Sequence, residues 1–257
     1  MKVVILAGGY GTRISEESHL KPKPMIEICG SPIMWHIMKI YSYFGFHDFI
    51  ICCGYKGYVI KEYFADYYLH RSDITFDFSN NNEMTIHNNI AEPWKVTVVD
   101  TGLDTQTGGR LKRIQKYIGN EPFLCTYGDG VSDVNISDII KFHQMMDAKA
   151  TITAVQPGNK FGVLDIENTS RISRFSEKSK DDGGWINAGF MVLEPEIFDY
   201  IHGDDMILER YPFEKLAGEG NLYAYRYNGF WQCMDTQRDK MLLESLINKG
   251  QAPWIRW

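Results

Sequence analysis

Arg13 and Lys23 are the residues best equipped, by type and neighbourhood, to handle a polyphosphate. The strand-like run Val3-Val4-Ile5-Leu6 passes through Ala7 into Gly8-Gly9-Tyr10-Gly11-Thr12-Arg13, and eight residues after the arginine comes Lys21-Pro22-Lys23-Pro24-Met25. Glycines let backbone N–H groups approach oxyanions with no Cβ in the way, a guanidinium forks two phosphate oxygens, and a lysine adds a mobile point charge. Prolines on both sides of Lys23 stiffen the loop that carries it. Two common phosphate motifs are excluded by the spacing. A P-loop needs two glycines separated by four residues and followed by Lys-Ser/Thr, and the dinucleotide fingerprint needs a third glycine where Ile14 stands. Ile14 therefore also argues against a nicotinamide-dependent oxidoreductase.

Two acids stand at the ends of apolar runs. Asp129 follows Phe123-Leu124-Cys125-Thr126-Tyr127 between Gly128 and Gly130, which places a carboxylate at the carboxyl end of a strand, the edge where open α/β sheets bind ligands. Asp235 follows the short strand signal Phe230 to Cys233. Taken singly, each is more often a turn residue than a ligand. The elements that must position these groups alternate strand and helix over the first 155 residues, the pattern of βαβ units with a largely parallel sheet covered on both faces. Strands are expected at Val3–Leu6, Asp48–Cys53, Val96–Val99, Phe123–Tyr127 and Ala150–Val155. Helices are expected from Ser31-Pro32 to Phe44, with Ser31 as cap, around Val59–Tyr67, and over Arg110–Ile118 and Ser137–Met146. Asn80-Asn81-Asn82 between Ile74–Phe78 and Met84–His87 reads as an inserted hairpin. From Pro157 onward the signals change to short strands and helices, with no Gly/Ser linker before them.

The same residues carry a family resemblance. Gly8-Gly9-Tyr10-Gly11-Thr12-Arg13 with Lys21-Pro22-Lys23-Pro24 resembles the signature of the sugar-1-phosphate nucleotidyltransferases. The likeness continues in order through Thr107-Gly108-Gly109-Arg110, Gly128-Asp129-Gly130, Phe161-Gly162, Glu177-Lys178, Asn187-Ala188-Gly189 and Trp231 to Thr236. Cys52 to Tyr58, Glu92-Pro93-Trp94, Val99 to Gly102 and the ending Ala252-Pro253-Trp254 are similar to the branch that joins CTP to α-D-glucose 1-phosphate.

That resemblance implies a Rossmann-like three-layer α/β fold with a mixed, mostly parallel sheet. One domain would span 1–257, with a nucleotide-binding part at 1–156 and a sugar-binding part at 157–257. It implies a Mg²⁺-dependent reaction yielding CDP-glucose and pyrophosphate, in a pathway of deoxysugar supply for surface polysaccharide such as lipopolysaccharide O-antigen. Asp129 and Asp235 become metal ligands, and Arg13 and Lys23 the catalytic cations. Leu6, Ala7, Gly8, Gly9, Gly11, Thr12, Asp104, Thr107, Gly108, Gly109 and Gly128 become nucleotide contacts, while Glu177, Lys178 and Asn187 hold the sugar phosphate. Cytosine presents an N4 amino donor, so an acceptor is wanted from the loop Thr101–Arg110, either Asp104 or a backbone carbonyl. The chain departs from the family pattern where Ser179 replaces a proline and Ala188 a glycine. Those departures leave open another nucleoside triphosphate or sugar phosphate, and a non-catalytic sugar-nucleotide sensor is the reading from a different class.

Bulk composition narrows the partners. The chain has 257 residues, 44% hydrophobic and 23% charged, with a formal net charge of −6. Enough apolar material exists for one large domain, and neither a basic stripe nor a lysine run offers itself to nucleic acid or an anionic membrane. Cys29, Cys52, Cys53, Cys125 and Cys233 show no Cys-x-x-Cys spacing and read as reduced core residues. No apolar run approaches ~18 residues, so the expected place is the cytoplasm, and the aromatic content together with the resemblance favours a homo-oligomer.

Overall fold

A computed structural model describes residues 1–14, 17, 19–156, 163–166, 169–176 and 184–257. Its centre is an eight-stranded mixed sheet. The strands are β1 (Val3–Ala7), β2 (Asp48–Cys53), β3 (Lys95–Asp100), β4 (Phe123–Tyr127), β5 (Ala150–Val155), β6 (Ile186–Asn187), β7 (Met191–Leu193) and β8 (Leu222–Arg226). Their order is β6-β5-β7-β4-β1-β2-β3, with β8 also paired to β5. β1 runs parallel to β2 and β4, and β2 to β3, whereas β7 is antiparallel to both β4 and β5. Strands from before and after residue 157 thus share one sheet.

The unbroken apolar sequence of β1 follows from burial on both faces. Val3, Ile5 and Ala7 enter one core and Val4 and Leu6 the other, as a parallel strand between two helical layers requires. The first core is covered by α1 (Ile33–Tyr43), by α4 (Ile136–Met145) and by α6 (Gln237–Asn248). The second is covered by α3 (Thr107–Ile118) and α5 (Tyr211–Gly218), and α2 (Gly57–Ala65) follows β2. Because β1 to β4 are parallel, the turns after Ala7, Cys53, Asp100 and Tyr127 all emerge on one edge of the sheet.

Several expectations are corrected. Ser31 is not a helix cap: Ser31–Pro32 pairs with Glu27–Ile28 across Cys29 (φ 49°) and Gly30 (φ 83°), and Pro32 precedes α1. Positive φ at both central residues is what a two-residue primed hairpin turn demands, and it draws Ser31 into the ladder. Cys29 consequently lies exposed on that turn, while the other four cysteines are buried and all five are free thiols. Helix α3 starts at Thr107, one turn before the expected Arg110, because Gly108 and Gly109 sit against another segment. Between β6 and β7, Gly189 (φ 75°) and Phe190 (φ 50°) interrupt the ladder. The hairpin Asp73–Asp77 with Glu83–His87 forms as expected, and its Phe76, Phe78, Met84 and Ile86 are exposed.

Candidate active site

A cavity of about 510 Å³ opens over the carboxyl edge of β1 and β4. Leu6, Ala7, Gly8, Gly9, Gly11, Thr12, Lys23, Asp104, Thr107, Gly128, Asp129 and Asp235, all expected at the site, line it together with Tyr10, Pro24, Gln106, Arg110 and Tyr127. Gly11 holds φ 67° and so needs to be glycine, and no atom stands within 4 Å of where a Gly9 Cβ would be. Gly128 is required for contact instead: an added Cβ would lie 2.8 Å from Pro24 Cγ.

The two acids, 106 residues apart, meet around one ammonium. Lys23 Nζ lies 2.6 Å from Asp129 Oδ2 and 2.5 Å from Asp235 Oδ1. Pro22 is extended (ψ 147°) and Pro24 falls in the turn Lys23–Met25, so the lysine is presented from a stiff corner. Asp235 arrives through a short antiparallel ladder in which Trp231, Gln232 and Cys233 pair with Ser132, Val131 and Gly130, extended by Met234 N–H donating to Asp129 O at 2.8 Å. Burial opposes the charge on Lys23, but the two carboxylates outweigh it and hold the ammonium above its ordinary range. Burial pushes the neighbouring Cys233 thiol well up, so it is not a thiolate.

The donor set fits a hard divalent cation. Asp129 and Asp235 offer oxygen ligands already converging on a positive charge. Among the described residues no cluster of three or more His, Cys, Asp or Glu side chains could hold a metal. A cation that keeps waters and takes substrate phosphate oxygens, as Mg²⁺ does, matches a site with two protein ligands.

Arg110 is a residue whose role the sequence did not reveal. Its guanidinium is 5% exposed and donates to Gly8 O (3.1 Å), Cys53 O (3.1 Å), Gly102 O (2.7 Å), Leu103 O (3.1 Å) and Thr101 Oγ1 (2.8 Å). Burial holds it below the ordinary arginine range. The bonds join the glycine loop to the turns after β2 and β3. They also explain two glycines, since a Cβ on Gly8 would lie 2.2 Å from the Arg110 Cζ and one on Gly54 2.6 Å from its Nη1.

Tyr127 is the second unexpected member. Its hydroxyl donates to Glu209 Oε1 at 2.5 Å and accepts from Asn187 Nδ2 at 2.9 Å, while Thr107 Oγ1 donates to Glu209 Oε2 at 2.6 Å. Burial, then the Glu209 carboxylate, push the phenol far above its usual range. Asn187 itself is not on the cavity wall; it stands behind Tyr127, its Oδ1 accepting from Gly189 N–H. Gly108 and Gly109 are likewise off the wall, because a Cβ on either would run into the backbone of Met206 (2.7 Å) or Asp204 (2.5 Å). They serve close packing. Asp104 is exposed on the rim and accepts from Tyr10 Oη at 2.7 Å. Glu177, Lys178 and the side chain of Arg13 lie outside the described residues.

The chain matches the nucleotidyl transferase family model over residues 2–232 and belongs to that family. Among its relatives, a glucose-1-phosphate cytidylyltransferase of Salmonella typhi is 56% identical, with 100% of both chains covered. A probable glucose-1-phosphate cytidylyltransferase of Bacillus subtilis (strain 168) is 44% identical, again over 100% of both. Among solved structures, HddC from Yersinia pseudotuberculosis has a TM-score of 0.76 at 25% identity, covering 96% of this chain and 99% of that one. A UDP-glucose pyrophosphorylase complexed with UDP-glucose has a TM-score of 0.77 at 18% identity, covering 97% and 98% respectively, and shares the fold.

Proposed function

We propose that the protein transfers a cytidylyl group from CTP to α-D-glucose 1-phosphate, releasing pyrophosphate and CDP-glucose, with Mg²⁺ as cofactor. The observation that carries this reading is the meeting of Lys23, Asp129 and Asp235 on the wall of a cavity that begins at the glycine loop. Two full-length relatives that bear the cytidylyltransferase name support the choice of base and sugar. In the reaction a phosphate oxygen of the sugar phosphate attacks the α-phosphorus of CTP. The bond from that phosphorus to the bridging oxygen breaks, and pyrophosphate leaves in line with the electron pair. Such a transfer needs no nucleophilic side chain, only positioning and charge stabilisation. The loop from Gly8 to Arg13 would seat the triphosphate, Lys23 would neutralise the α-phosphate, Glu177 and Lys178 would hold the sugar phosphate, and Asn187 would act from behind by holding the Tyr127 hydroxyl. Mg²⁺, held by Asp129 and Asp235, would supply a Lewis acid to the phosphate oxygens.

Pyrophosphate release measured with CTP, UTP and dTTP beside glucose 1-phosphate tests the assignment. CTP is expected to lead clearly, and a preference for UTP or dTTP rejects the cytidylyl reading. Omission of Mg²⁺ should abolish release. The product would feed deoxysugar synthesis for surface polysaccharide in the cytoplasm; among the described residues no helix is long and apolar enough to cross a membrane. A homo-oligomer is part of the same proposal. A two-stranded hairpin is marginally stable alone, and the one at 73–87 exposes Phe76, Phe78, Met84 and Ile86. Light scattering after gel filtration would return a multiple of 29.7 kDa if copies cover it, and the monomer mass if they do not.

A further inference from the structure

Two ties join the glycine loop to the loop 101–107, and they differ in depth. At the root, the buried Arg110 guanidinium binds Gly8 O on one side and Gly102 O and Leu103 O on the other. At the rim, among the described residues, one hydrogen bond runs from Tyr10 Oη to Asp104 Oδ1, linking residues 94 positions apart. Both rim residues line the cavity and both are exposed, Tyr10 by 45%. The Tyr10 ring also leans on Tyr55, with centroids 5.5 Å apart.

The physical difference between the ties decides what each can do. Five hydrogen bonds, three of them fully buried, make the root the firmer joint, because opening them together would leave the guanidinium without its acceptors. A single bond between exposed groups exchanges with water at little net cost, so it breaks and reforms while the root holds. A phenol on one loop gripping a carboxylate on the other therefore restricts passage without fixing the loops.

We propose that Tyr10 and Asp104 form a latch across the mouth of the cavity, opening to admit and release the nucleoside triphosphate. This rests on the cavity being the CTP site. A latch closed in both the free and the loaded protein slows entry and exit alike, so its loss should speed both.

Stopped-flow measurement with mant-CTP and Mg²⁺, chased with unlabelled CTP, reads both rates on the whole chain. Tyr10→Phe and Asp104→Asn are each expected to raise association and dissociation by about three- to tenfold, the scale of one exposed hydrogen bond to a carboxylate. The ratio of the two rates should move less than about twofold, and the double variant should go no further than either single one, as expected for two halves of one contact. Melting temperatures should stay within about 2 °C of the parent, which a role in the fold would not allow. Unchanged rates, or single effects that multiply in the double variant, overturn the latch. So does an Asp104→Asn protein that loses binding of CTP but not of UTP, which would assign the carboxylate to base reading. A parent protein that binds no mant-CTP overturns the assignment of the cavity itself.

Discussion

Lys23 and Arg110 are two largely buried cations on the wall of one cavity, and the protein answers their charges in opposite ways. Lys23 faces two carboxylates. Arg110 faces four backbone carbonyls and a hydroxyl. A compact ammonium on a flexible stem exchanges partners readily, whereas a planar guanidinium matched to fixed acceptors holds a geometry. The first arrangement is suited to chemistry that must move charge, and the second keeps three loops in register. His36 supplies a third case: it is 4% exposed with only Ile28 O and the Trp254 indole near its nitrogens, and burial lowers its pKa to about 4. Burial alone neutralises a group, and only a set of acceptors keeps it charged.

The sharpest break in this comparison is Arg110→Met, which takes the guanidinium from four carbonyls, of which Gly8 O keeps the Tyr55 N–H and Cys53 O keeps Thr101. It should cost about 3 to 5 kcal/mol, a fall in melting temperature of roughly 6 to 20 °C for a domain of this size. Arg110→Lys keeps the charge but not the fork, so thermal unfolding should show most of the same loss; full rescue by lysine would mean that charge, not geometry, is what matters there. Lys23→Met tests the other side. Pyrophosphate release should fall by about 10²-fold or more, while circular dichroism shows an intact fold. A third expectation concerns acid. His36 has a folded pKa depressed below the unfolded value near 6.5, so its contribution is complete above that value and is lost as pH falls toward about 4. Urea unfolding should show roughly 2 kcal/mol less stability at pH 4.5 than at 7 from this group, and His36→Gln should flatten that slope. The smallest effect belongs to Thr236, which with Asp239 forms a capping box at the start of α6, next to Asp235. Thr236→Ala should cost about 1 kcal/mol by thermal unfolding, and a much larger loss of activity than of stability would show that the cap also aims the aspartate.

What the sequence made legible is what local chemistry decides. The runs Phe123–Tyr127 and Ala150–Val155 coincide with β4 and β5 because strands buried on both faces write their burial into consecutive residues. The glycine loop and Lys23 were readable as residues of the cavity wall for a similar reason, since Gly8 to Thr12 are neighbours in the chain. Arg110 was visible only as the end of a motif, because its acceptors come from residues 8, 53 and 101–103 and no spacing records that convergence. Gly108 and Gly109 carried the right composition for a ligand loop, yet their bare Cα atoms are used by the 204–206 backbone. Tyr127 and Glu209 followed the same rule: each looked ordinary until the fold brought a phenol, an amide and a carboxylate together.

The ladder between Gly130–Ser132 and Trp231–Cys233 sets a rule for insertions and deletions in this chain. Successive residues of a strand point to opposite sides, so gaining a residue between Asp129 and Gly130, or gaining or losing one between Cys233 and Asp235, would turn one acid away from Lys23. The long stretch joining the two strands carries no such parity. Length changes there are expected to be forgiven wherever they fall in exposed turns, and a single added residue in either three-residue strand to extinguish the enzyme.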